Sequence, residues 1–342
     1  MKRVFTLLMI VVAATLAASN RYYVSPEGTG QDGLSWSDAI SLEEALAKCV
    51  HGDEVWVSQG TYLCSQNNDR TESFNIPSGV AIYGGFKGDE TELSERTTGF
   101  PTILSGDIGE TGVDTDNAFT VVSLIDADES TLLDGLTITG GRSMAMTRDR
   151  TRTSAGGGLY IASEELTSRP FIQNCKFVNN RARYGAAVYV NGTHRSAEPI
   201  FYSCSFETNV ASFRGGGIYN DGEGGQANPR ITACLFTANQ ADCGAGITNN
   251  GKAGESNPLI VETIFESNVS MVTGAAIYNL QGQNGDAMPV IQECEYRNNE
   301  SELDEDVANS ERVTMVSSRR QQRSGGTLQP RGSRTSIADR NK

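Results

Sequence analysis

A five-residue motif, one glycine followed by two small residues, an aliphatic residue and usually a tyrosine, recurs five times in the second half of the chain. The first glycines of successive copies are 29, 30, 29 and 30 residues apart. The copies are Gly156–Tyr160, Gly185–Tyr189, Gly215–Tyr219, Gly244–Thr248 and Gly274–Tyr278. A fixed period near 30 residues is typical of a solenoid, in which each repeat buries its apolar face only against its neighbours.

A second motif, Pro170-Phe-Ile-Gln-Asn-Cys-Lys-Phe-Val-Asn-Asn180, repeats in register with the first. Four of its positions keep their chemistry, so we expect them to stack in columns between parallel coils about 4.8 Å apart. The columns are Ile172, Phe201, Ile231, Ile260 and Ile291; Cys175, Cys204, Cys234, Thr263 and Cys294; Phe177, Phe206, Phe236, Phe265 and Tyr296; Asn180, Asn209, Asn239, Asn268 and Asn299. The cysteine and aromatic columns should face inward, and the stacked asparagine amides can bond along their column at a turn.

The rest of the chain divides around these repeats. Residues 41–49 form the one convincing helix, with a serine N-cap and a glutamate three residues later, and we expect it to cover the first coil. Coils over 55–141 should be less regular than the repeats over 156–299. Between them, residues 142–155 form an insertion that is rich in arginine.

The two ends differ from the body. Residues 1–19 have the charged start, apolar stretch and small-residue cleavage site of a secretory signal, and the apolar stretch is too short to span a bilayer. We therefore expect a secreted or cell-surface protein, with no transmembrane segment after cleavage, that acts as a monomer. Residues 300–342 break the period and become basic and rich in serine and glycine, which predicts a disordered tail.

Charge excludes one class of partner. Residues 20–311 hold 41 acidic and 18 basic side chains, a net charge of −23. A body this acidic repels nucleic acid and other polyanions.

The seven cysteines predict buried thiols rather than disulfides. Four of them occupy one column, where cysteine behaves as a small apolar residue. Parallel side-chain vectors oppose the geometry of a disulfide between coils, and no CxxC spacing indicates a metal site.

The repeats also resemble those of known proteins. The pairing of Phe-Val-Asn-Asn180 with Gly-Ala-Ala-Val-Tyr189 resembles the FxxN and GGAI repeats of polymorphic outer-membrane-protein adhesins. The wider pattern, including Gly52-Asp-Glu-Val-Trp-Val57 and Leu133-Asp-Gly-Leu-Thr-Ile-Thr-Gly-Gly141, resembles secreted proteins of the pectin-lyase-like superfamily. The resemblance implies an all-β fold, a right-handed parallel β-helix with an N-terminal capping helix. It leaves function open, because this superfamily includes lyases, hydrolases and adhesins.

Few residues suggest chemistry. Lyases of this superfamily use an arginine or lysine base beside calcium, and Arg183 and Arg214 fall at nearly equivalent positions on adjacent coils, with Tyr184 beside them and Arg181 close. This is the one candidate catalytic site, and scattered solvent-facing arginines are the alternative. Calcium is the one cofactor that we consider, and its candidate ligands are Asp107, Asp114, Asp116 and Asn117, although an ordinary polar turn would have the same composition.

Four loops between the repeats leave the solenoid at the same point and vary in sequence, as the binding face of a solenoid does. They predict contacts with a glycan or a surface protein. Their candidate binding residues are Asn191, His194, Asn220, Asp221, Asn249, Asn250, Asn279 and Asn284.

The first functional hypothesis is therefore an adhesin-like binding protein that uses this loop face. The alternative is a polysaccharide lyase or glycoside hydrolase centred on Arg183, Tyr184 and Arg214. A structural spacer is the third class.

Overall fold

The chain folds into a right-handed parallel β-helix of about ten turns. The computed structural model describes residues 19–147, 149–282 and 284–310, together with the backbone of the strand Ser317–Ser318. All but the last residue of the expected signal segment, and most of the expected tail, lie outside these residues. In the described part the strands form four long parallel sheets, which we number 1 to 4 in the order in which a regular coil visits them.

Sheet 1 has ten strands and sheet 2 has eight. The strands of sheet 1 are Arg21–Val24, Glu54–Ser58, Ala81–Phe86, Leu132–Asp134, Phe171–Gln173, Ile200–Tyr202, Arg230–Thr232, Leu259–Val261, Val290–Gln292 and Ser317–Ser318. Those of sheet 2 are Gly60–Leu63, Thr102–Ser105, Leu136–Thr139, Lys176–Val178, Ser205–Glu207, Leu235–Thr237, Ile264–Glu266 and Glu295–Arg297.

Sheet 3 has six strands and sheet 4 has eight, and a two-stranded ribbon lies outside them. The strands of sheet 3 are Arg142–Ser143, Arg181–Tyr184, Val210–Arg214, Gln240–Cys243, Val269–Thr273 and Glu300–Ser301. Those of sheet 4 are Phe74–Asn75, Val122–Ile125, Leu159–Ala162, Val188–Asn191, Ile218–Asp221, Ile247–Asn250, Ile277–Leu280 and Val307–Asn309, and those of the ribbon are Ser196–Ala197 and Gln226–Ala227.

The α-helix covers the N-terminal end of the core, as predicted. It spans Leu42–Lys48, and Ser41 caps it by accepting a hydrogen bond from the Glu44 backbone N–H at 3.1 Å. The Glu44 carboxylate pairs with Lys48 at 2.8 Å. Leu42, Ala45 and Leu46 are buried in the same core cluster as the first coil. Two short 3-10 helices, Trp36–Asp38 and Leu93–Glu95, lie in connections.

The corners of each regular coil are short because particular residues adopt left-handed backbone conformations. The turn from sheet 1 to sheet 2 is made at Asn174 and its equivalents, and the turn from sheet 3 to sheet 4 is made by the first glycine of the repeated motif, as at Gly215 with φ of +69°. The third position of that motif needs a small residue for another reason. A Cβ on Gly217 would lie 2.5 Å from the carbonyl oxygen of Gly246 and 2.7 Å from the Phe236 ring.

The aromatic column is stacked inside the helix, as predicted from its period. Neighbouring strands pair Phe206 with Phe236 and Phe236 with Phe265, and their ring centroids are 4.4 and 5.0 Å apart. Phe177 and Tyr296 extend the stack at its two ends. The β-helix register inferred from sequence is therefore confirmed.

Two asparagine ladders run along the solenoid. In the predicted one, each Nδ2 donates to the Oδ1 of the next coil at 3.0–3.1 Å and to a backbone carbonyl, so the buried amides are satisfied from Asn180 to Asn299. The second ladder lies inside sheet 4, where Asn220, Asn249, Asn279 and Asn309 are joined by bonds of 2.7–2.8 Å. It was not predicted as a ladder.

All seven cysteines are free thiols, and the cysteine column faces the core. Burial raises the pKa of the Cys175 thiol to about 12. In the fourth copy of the column, Thr263 replaces cysteine and is fully buried, and its hydroxyl donates to the carbonyl of Val261 at 3.0 Å.

The solenoid continues beyond the predicted boundary at residue 299. Glu300–Ser301 pairs in sheet 3, and Val307–Asn309 pairs in sheet 4 with Asn309 in the second ladder. The sequence period ends here, but Val307 still packs against the core. That contact holds the last strand of sheet 4 on the solenoid. The predicted tail therefore begins too early.

Candidate functional site

Two bulges in sheet 3 mark the candidate site. Ala182 pairs with Ala211 and Tyr184 with Arg214, so that Ser212 and Phe213 lie opposite Arg183 alone. A second bulge occurs two strands later, where Met271 and Val272 lie opposite Asp242. A bulge breaks the strand pairing and re-aims side chains, and bulges are frequent beside functional sites.

The first bulge brings together the three residues of the predicted catalytic site. The guanidinium carbons of Arg183 and Arg214 lie 5.5 and 4.3 Å from the centroid of the Phe213 ring, and the Tyr184 ring meets Phe213 edge-on at 5.6 Å. Arg214 also lies 5.6 Å from the ring of Tyr278. We call Arg183, Tyr184, Phe213, Arg214 and Tyr278 the arginine–aromatic patch.

The two guanidiniums lie near the same aromatic ring. Because both lie close to the same ring, they are no more than about 10 Å apart, the sum of their two distances to its centroid. Arg183, Phe213 and Arg214 are half-buried, whereas Tyr184 and Tyr278 are buried. Burial raises the pKa of the Tyr278 phenol, and the positive charge of Arg214 opposes this rise. The patch thus contains two guanidinium groups, those of Arg183 and Arg214, close to the partly exposed ring of Phe213.

These two arginines differ from the others nearby in lacking an acidic partner. Arg142 and Arg181 both pair with Asp114, at 2.9 and 3.2 Å. In the part of the chain that the structure describes, no carboxylate forms an ion pair with Arg183 or Arg214, and both Nε atoms are buried without a hydrogen-bond partner. Nη1 of Arg183 makes a weak polar contact with the Met146 sulfur at 3.5 Å. Buried donors without acceptors are rare, so each one calls for an explanation.

The arginine-rich insertion lies over the outer face of sheet 4. We call residues 144–155 the strap. It covers a layer of tyrosine side chains, and Tyr160, Tyr189 and Tyr219 stack there with centroids 5.4 and 5.5 Å apart. Arg150 anchors the strap by pairing with the fully buried Asp221 at 2.9 Å and with Glu223 at 2.7 Å.

Asp221 is the most strongly bonded carboxylate of this layer. Besides Arg150, it accepts hydrogen bonds from the Tyr189 hydroxyl and from the Asn250 amide, the latter at 2.8 Å. Burial raises the pKa of Asp221, and Arg150 and these donors oppose the rise. With its oxygens occupied and no exposed surface, Asp221 holds the strap and cannot contact a ligand.

The predicted binding loops do not form an open face. A Cβ on Gly192 would lie 1.7 Å from the Gln226 carbonyl oxygen, and one on Gly222 would lie 1.8 Å from that of Glu255. The loops therefore stack tightly on one another, in part through the two-stranded ribbon.

The candidate binding residues of these loops are dispersed. Asn220, Asn249 and Asn279 are fully buried in the second ladder, and Asp221 and Asn250 are fully buried under the strap. Asn191 is half-buried and bonds to the Tyr160 hydroxyl at 2.9 Å. Only His194 and Asn284 of the eight are exposed.

The three aspartates among the candidate calcium ligands all have other partners. Asp114 pairs with two arginines, Asp107 accepts from the Gly112 backbone N–H, and Asp116 accepts from that of Glu110. Among the described residues no group of three acidic, cysteine or histidine side chains could hold a metal ion. Asp116 Oδ1 and Asn117 Oδ1 are buried without a hydrogen-bond partner among the described residues, and both the calcium site and the polar turn stay predictions.

His51, Asp128 and Ser130 lie together, but they do not have the geometry of a catalytic triad. Asp128 and Ser130 both bond to Nε2 of His51, at 2.9 and 3.3 Å. A relay through an imidazole needs one partner on each ring nitrogen. His51 is therefore a surface contact at the end of the helix.

A cleft of about 720 Å³ lies beside the cap helix, lined by residues 41–43, 46–47, 61–64 and 72–75 among others. Its charged side chains are Glu43 and Glu72, which do not suit an anionic ligand.

Sequence reasoning named both arginines and missed the ring between them. The signal was present, because the repeat steps alternate between 29 and 30 residues. The additional residue of the longer copies is the bulge, which exposes Phe213 in one copy and Val272 in another.

The solved structures that this chain resembles do so at low sequence identity and with TM-scores below 0.5. No family model matches the chain, and no curated protein matches it. A pectate lyase structure is 12% identical over 90% of this chain and 80% of its own, with a TM-score of 0.48. A pectin methylesterase in complex with a hexasaccharide is 12% identical over 86% and 81%, with a TM-score of 0.41, and a rhamnogalacturonan lyase is 14% identical over 87% and 89%, with a TM-score of 0.36.

No helix in the described part of the chain has the length and apolar character needed to cross a membrane.

Proposed function

We propose that this is a secreted protein that binds an acidic polysaccharide across the arginine–aromatic patch. The observation that carries the proposal is the pair of guanidiniums, Arg183 and Arg214, that flank Phe213 without an acidic partner among the described residues. A guanidinium binds a carboxylate through two parallel hydrogen bonds, and an aromatic ring offers an apolar surface to the C–H face of a sugar.

The acidic character of the whole protein does not oppose this site. Long-range repulsion between the body and a polyanion is screened beyond about 8 Å at physiological ionic strength. At the patch itself, no carboxylate of the described residues forms an ion pair with Arg183 or Arg214, and Asp114 is already paired with Arg142 and Arg181. The loops stack closely on one another, and six of their eight candidate binding residues are buried or half-buried, which makes the loop face the weaker candidate.

Cleavage by β-elimination is the second candidate, favoured by the contact of Tyr184 with both the ring and Arg183. In such a step a base removes the proton on the carbon next to the carboxylate, a carbon–carbon double bond forms, and the bond to the glycosidic oxygen breaks. The leaving oxygen then takes up a proton. The arginines would stabilise the charge that builds on the carboxylate, and Tyr184 is the candidate for proton transfer.

Isothermal titration with polygalacturonate, and with a neutral galactan for comparison, tests the binding. We expect Arg183→Gln and Arg214→Gln each to weaken binding of polygalacturonate about tenfold or more, because each removes a charged hydrogen-bond donor. Arg230→Gln is the matched control, since Arg230 lies exposed on sheet 1. Equal affinities for both polymers, or an equal loss in Arg230→Gln, would contradict the proposal.

The same samples separate binding from cleavage. Elimination creates an unsaturated uronate that absorbs in the ultraviolet, so product release can be followed directly. If the protein is a lyase, Tyr184→Phe should stop product release and leave the binding isotherm unchanged. If wild-type protein binds polygalacturonate and releases no product with or without calcium, it is a binding protein and the second candidate is rejected.

A further inference from the structure

A second cleft, of about 300 Å³, opens at the corner between sheets 1 and 2. In regular coils this corner is turned by two residues, such as Asn174 and Cys175. Between Ala81–Phe86 and Thr102–Ser105 the connection has 15 residues, 87–101, and its second half forms one wall of the cleft.

The floor of the cleft is a saturated polar network. Asp134 is 1% exposed and bonds to the guanidinium of Arg96, the amide of Gln173 at 2.9 Å and the amide of Asn174 at 2.8 Å. Arg96 also lies over the Tyr83 ring, with 5.2 Å between the guanidinium carbon and the centroid. These contacts fix the floor in one arrangement, and a preformed floor reduces the entropy that a ligand loses on binding.

The rim carries an unpaired cation. Lys176 lines the cleft and is exposed, and its strand neighbours at the same position are Thr137 and Ser205. Lys48 and Lys87 form ion pairs at 2.8 and 2.7 Å. In the described residues no carboxylate lies within ion-pair distance of Lys176. The neighbouring coils have no lysine at this position, and the protein as a whole is acidic. The positive charge of Lys176 at the rim therefore favours an anionic ligand.

The other wall groups suit a sugar. Phe100 and Pro101 supply an apolar surface, and Thr97, Thr98 and Asn174 supply polar groups around it. We propose that this cleft binds a single uronic acid residue, with the carboxylate at Lys176, the ring against Phe100 and the hydroxyls at the threonines. A volume of about 300 Å³ is at the small end of ligand pockets, which fits one sugar residue rather than a long oligosaccharide.

Titration of the whole protein with galacturonate, followed by NMR chemical shifts or by calorimetry, tests this inference. Galactose is the matched probe, because it has the same ring and lacks the carboxylate. We expect galacturonate to bind with a Kd on the order of millimolar, as suits one small ligand, and galactose to bind at least about tenfold more weakly.

Lys176→Ser should weaken galacturonate binding about tenfold, and it should fold normally because Ser205 occupies the same position in the next coil. Lys87→Ser is the control and should change nothing, since Lys87 does not line this cleft. Inorganic phosphate added as a competitor reports on the class of ligand. If phosphate binds as tightly as galacturonate, or if Lys176→Ser binds like wild type, the uronate site is disproved.

This inference stands apart from the function proposed for the patch. A variant with both Arg183→Gln and Arg214→Gln should keep its galacturonate affinity at the cleft. Conversely, Lys176→Ser should keep its affinity for polygalacturonate at the patch. If the double arginine variant loses galacturonate binding and Lys176→Ser does not, the monosaccharide binds at the patch and the cleft carries no site.

Discussion

Sheets 3 and 4 meet at the glycine turns of each coil, and both carry arginine against tyrosine on their outer faces. On sheet 4 the strap covers the tyrosines, and Arg150 is held by Asp221 and Glu223. On sheet 3 the bulge leaves Phe213 partly exposed, and Arg183 and Arg214 have no described acidic partner. A paired guanidinium stabilises the fold, whereas an unpaired one is available for a ligand.

This difference separates arginines that stabilise the fold from arginines that are available for a ligand, which the sequence alone does not distinguish. Arg150, Arg183 and Arg214 are indistinguishable as residue types, and only the placement of Asp221 decides which of them is structural. Substitutions on the two faces should therefore have opposite consequences. On sheet 4 they should change stability, and on sheet 3 they should change binding.

A core substitution should have the largest effect on stability, and the substitutions on sheets 3 and 4 can be compared with it. Phe236 stacks between two other rings and is fully buried, so Phe236→Ala should lower the free energy of unfolding by about 3–5 kcal/mol. Because each coil contacts only its neighbours, hydrogen exchange should rise across residues 200–270 rather than at one strand.

Thr263→Cys is the control for this core substitution. The Thr263 hydroxyl bonds to the Val261 carbonyl, and the thiols of Cys234 and Cys294 make the equivalent contact at 3.3 Å in their own coils. We expect a loss of less than about 1 kcal/mol, the net value of a typical hydrogen bond. Unfolding by Thr263→Cys alongside a neutral Phe236→Ala would contradict the inward assignment of both columns.

On the covered face the largest effect should come from Arg150→Gln. It leaves the Asp221 carboxylate buried without its cation, a loss of about 3 kcal/mol or more in chemical denaturation. Asp221→Asn should cost less, because Asn250 and Asn191 occupy the same position in the adjacent coils. In the Asp221→Asn background, Arg150→Gln should then add little. Additive losses would show that the pair does not anchor the strap.

The pH dependence of Arg150→Gln sharpens this test. Burial raises the folded-state pKa of Asp221 above its ordinary value, and removing the guanidinium removes the main opposition to that rise. A carboxyl with a raised folded pKa binds its proton more tightly in the folded state, so stability increases as pH falls. Arg150→Gln should therefore recover part of its lost stability as pH falls through the raised folded-state pKa of Asp221 towards the ordinary pKa of the unfolded state. A deficit that grows on acidification would argue against Asp221 as the cause.

On the uncovered face the effect on stability should be the smallest. Arg183→Gln and Arg214→Gln remove no ion pair and lose a cation–π contact with Phe213, a loss of about 0.5–1 kcal/mol at a partly exposed site. Their thermal midpoints should stay close to that of wild type. A loss as large as that of Arg150→Gln would show that these arginines have structural partners.

Periodicity made the interior predictable and left the outer layer undetermined. The columns through Phe236 and Asn239 follow from fixed offsets, because only in-register stacking returns the same side chain to the same place. The binding role given to Asn220 and Asn249 failed for a related reason: they begin the loops in sequence but still point inward from sheet 4. Arg150 with Asp221, and Arg96 with Asp134, are 71 and 38 residues apart, and each arginine comes from an irregular connection between strands, so no period places it.

Chemical modification of arginines in the presence of polygalacturonate tests the central claim most directly. A guanidinium-specific reagent followed by mass spectrometry reports each arginine separately, and Arg195 in the loops and Arg230 on sheet 1 are exposed internal standards. We predict that saturating polygalacturonate protects Arg183 and Arg214 and leaves Arg195 and Arg230 as reactive as before. Protection of Arg195 with unchanged reactivity of Arg183 and Arg214 would place the ligand on the loop face and contradict the account.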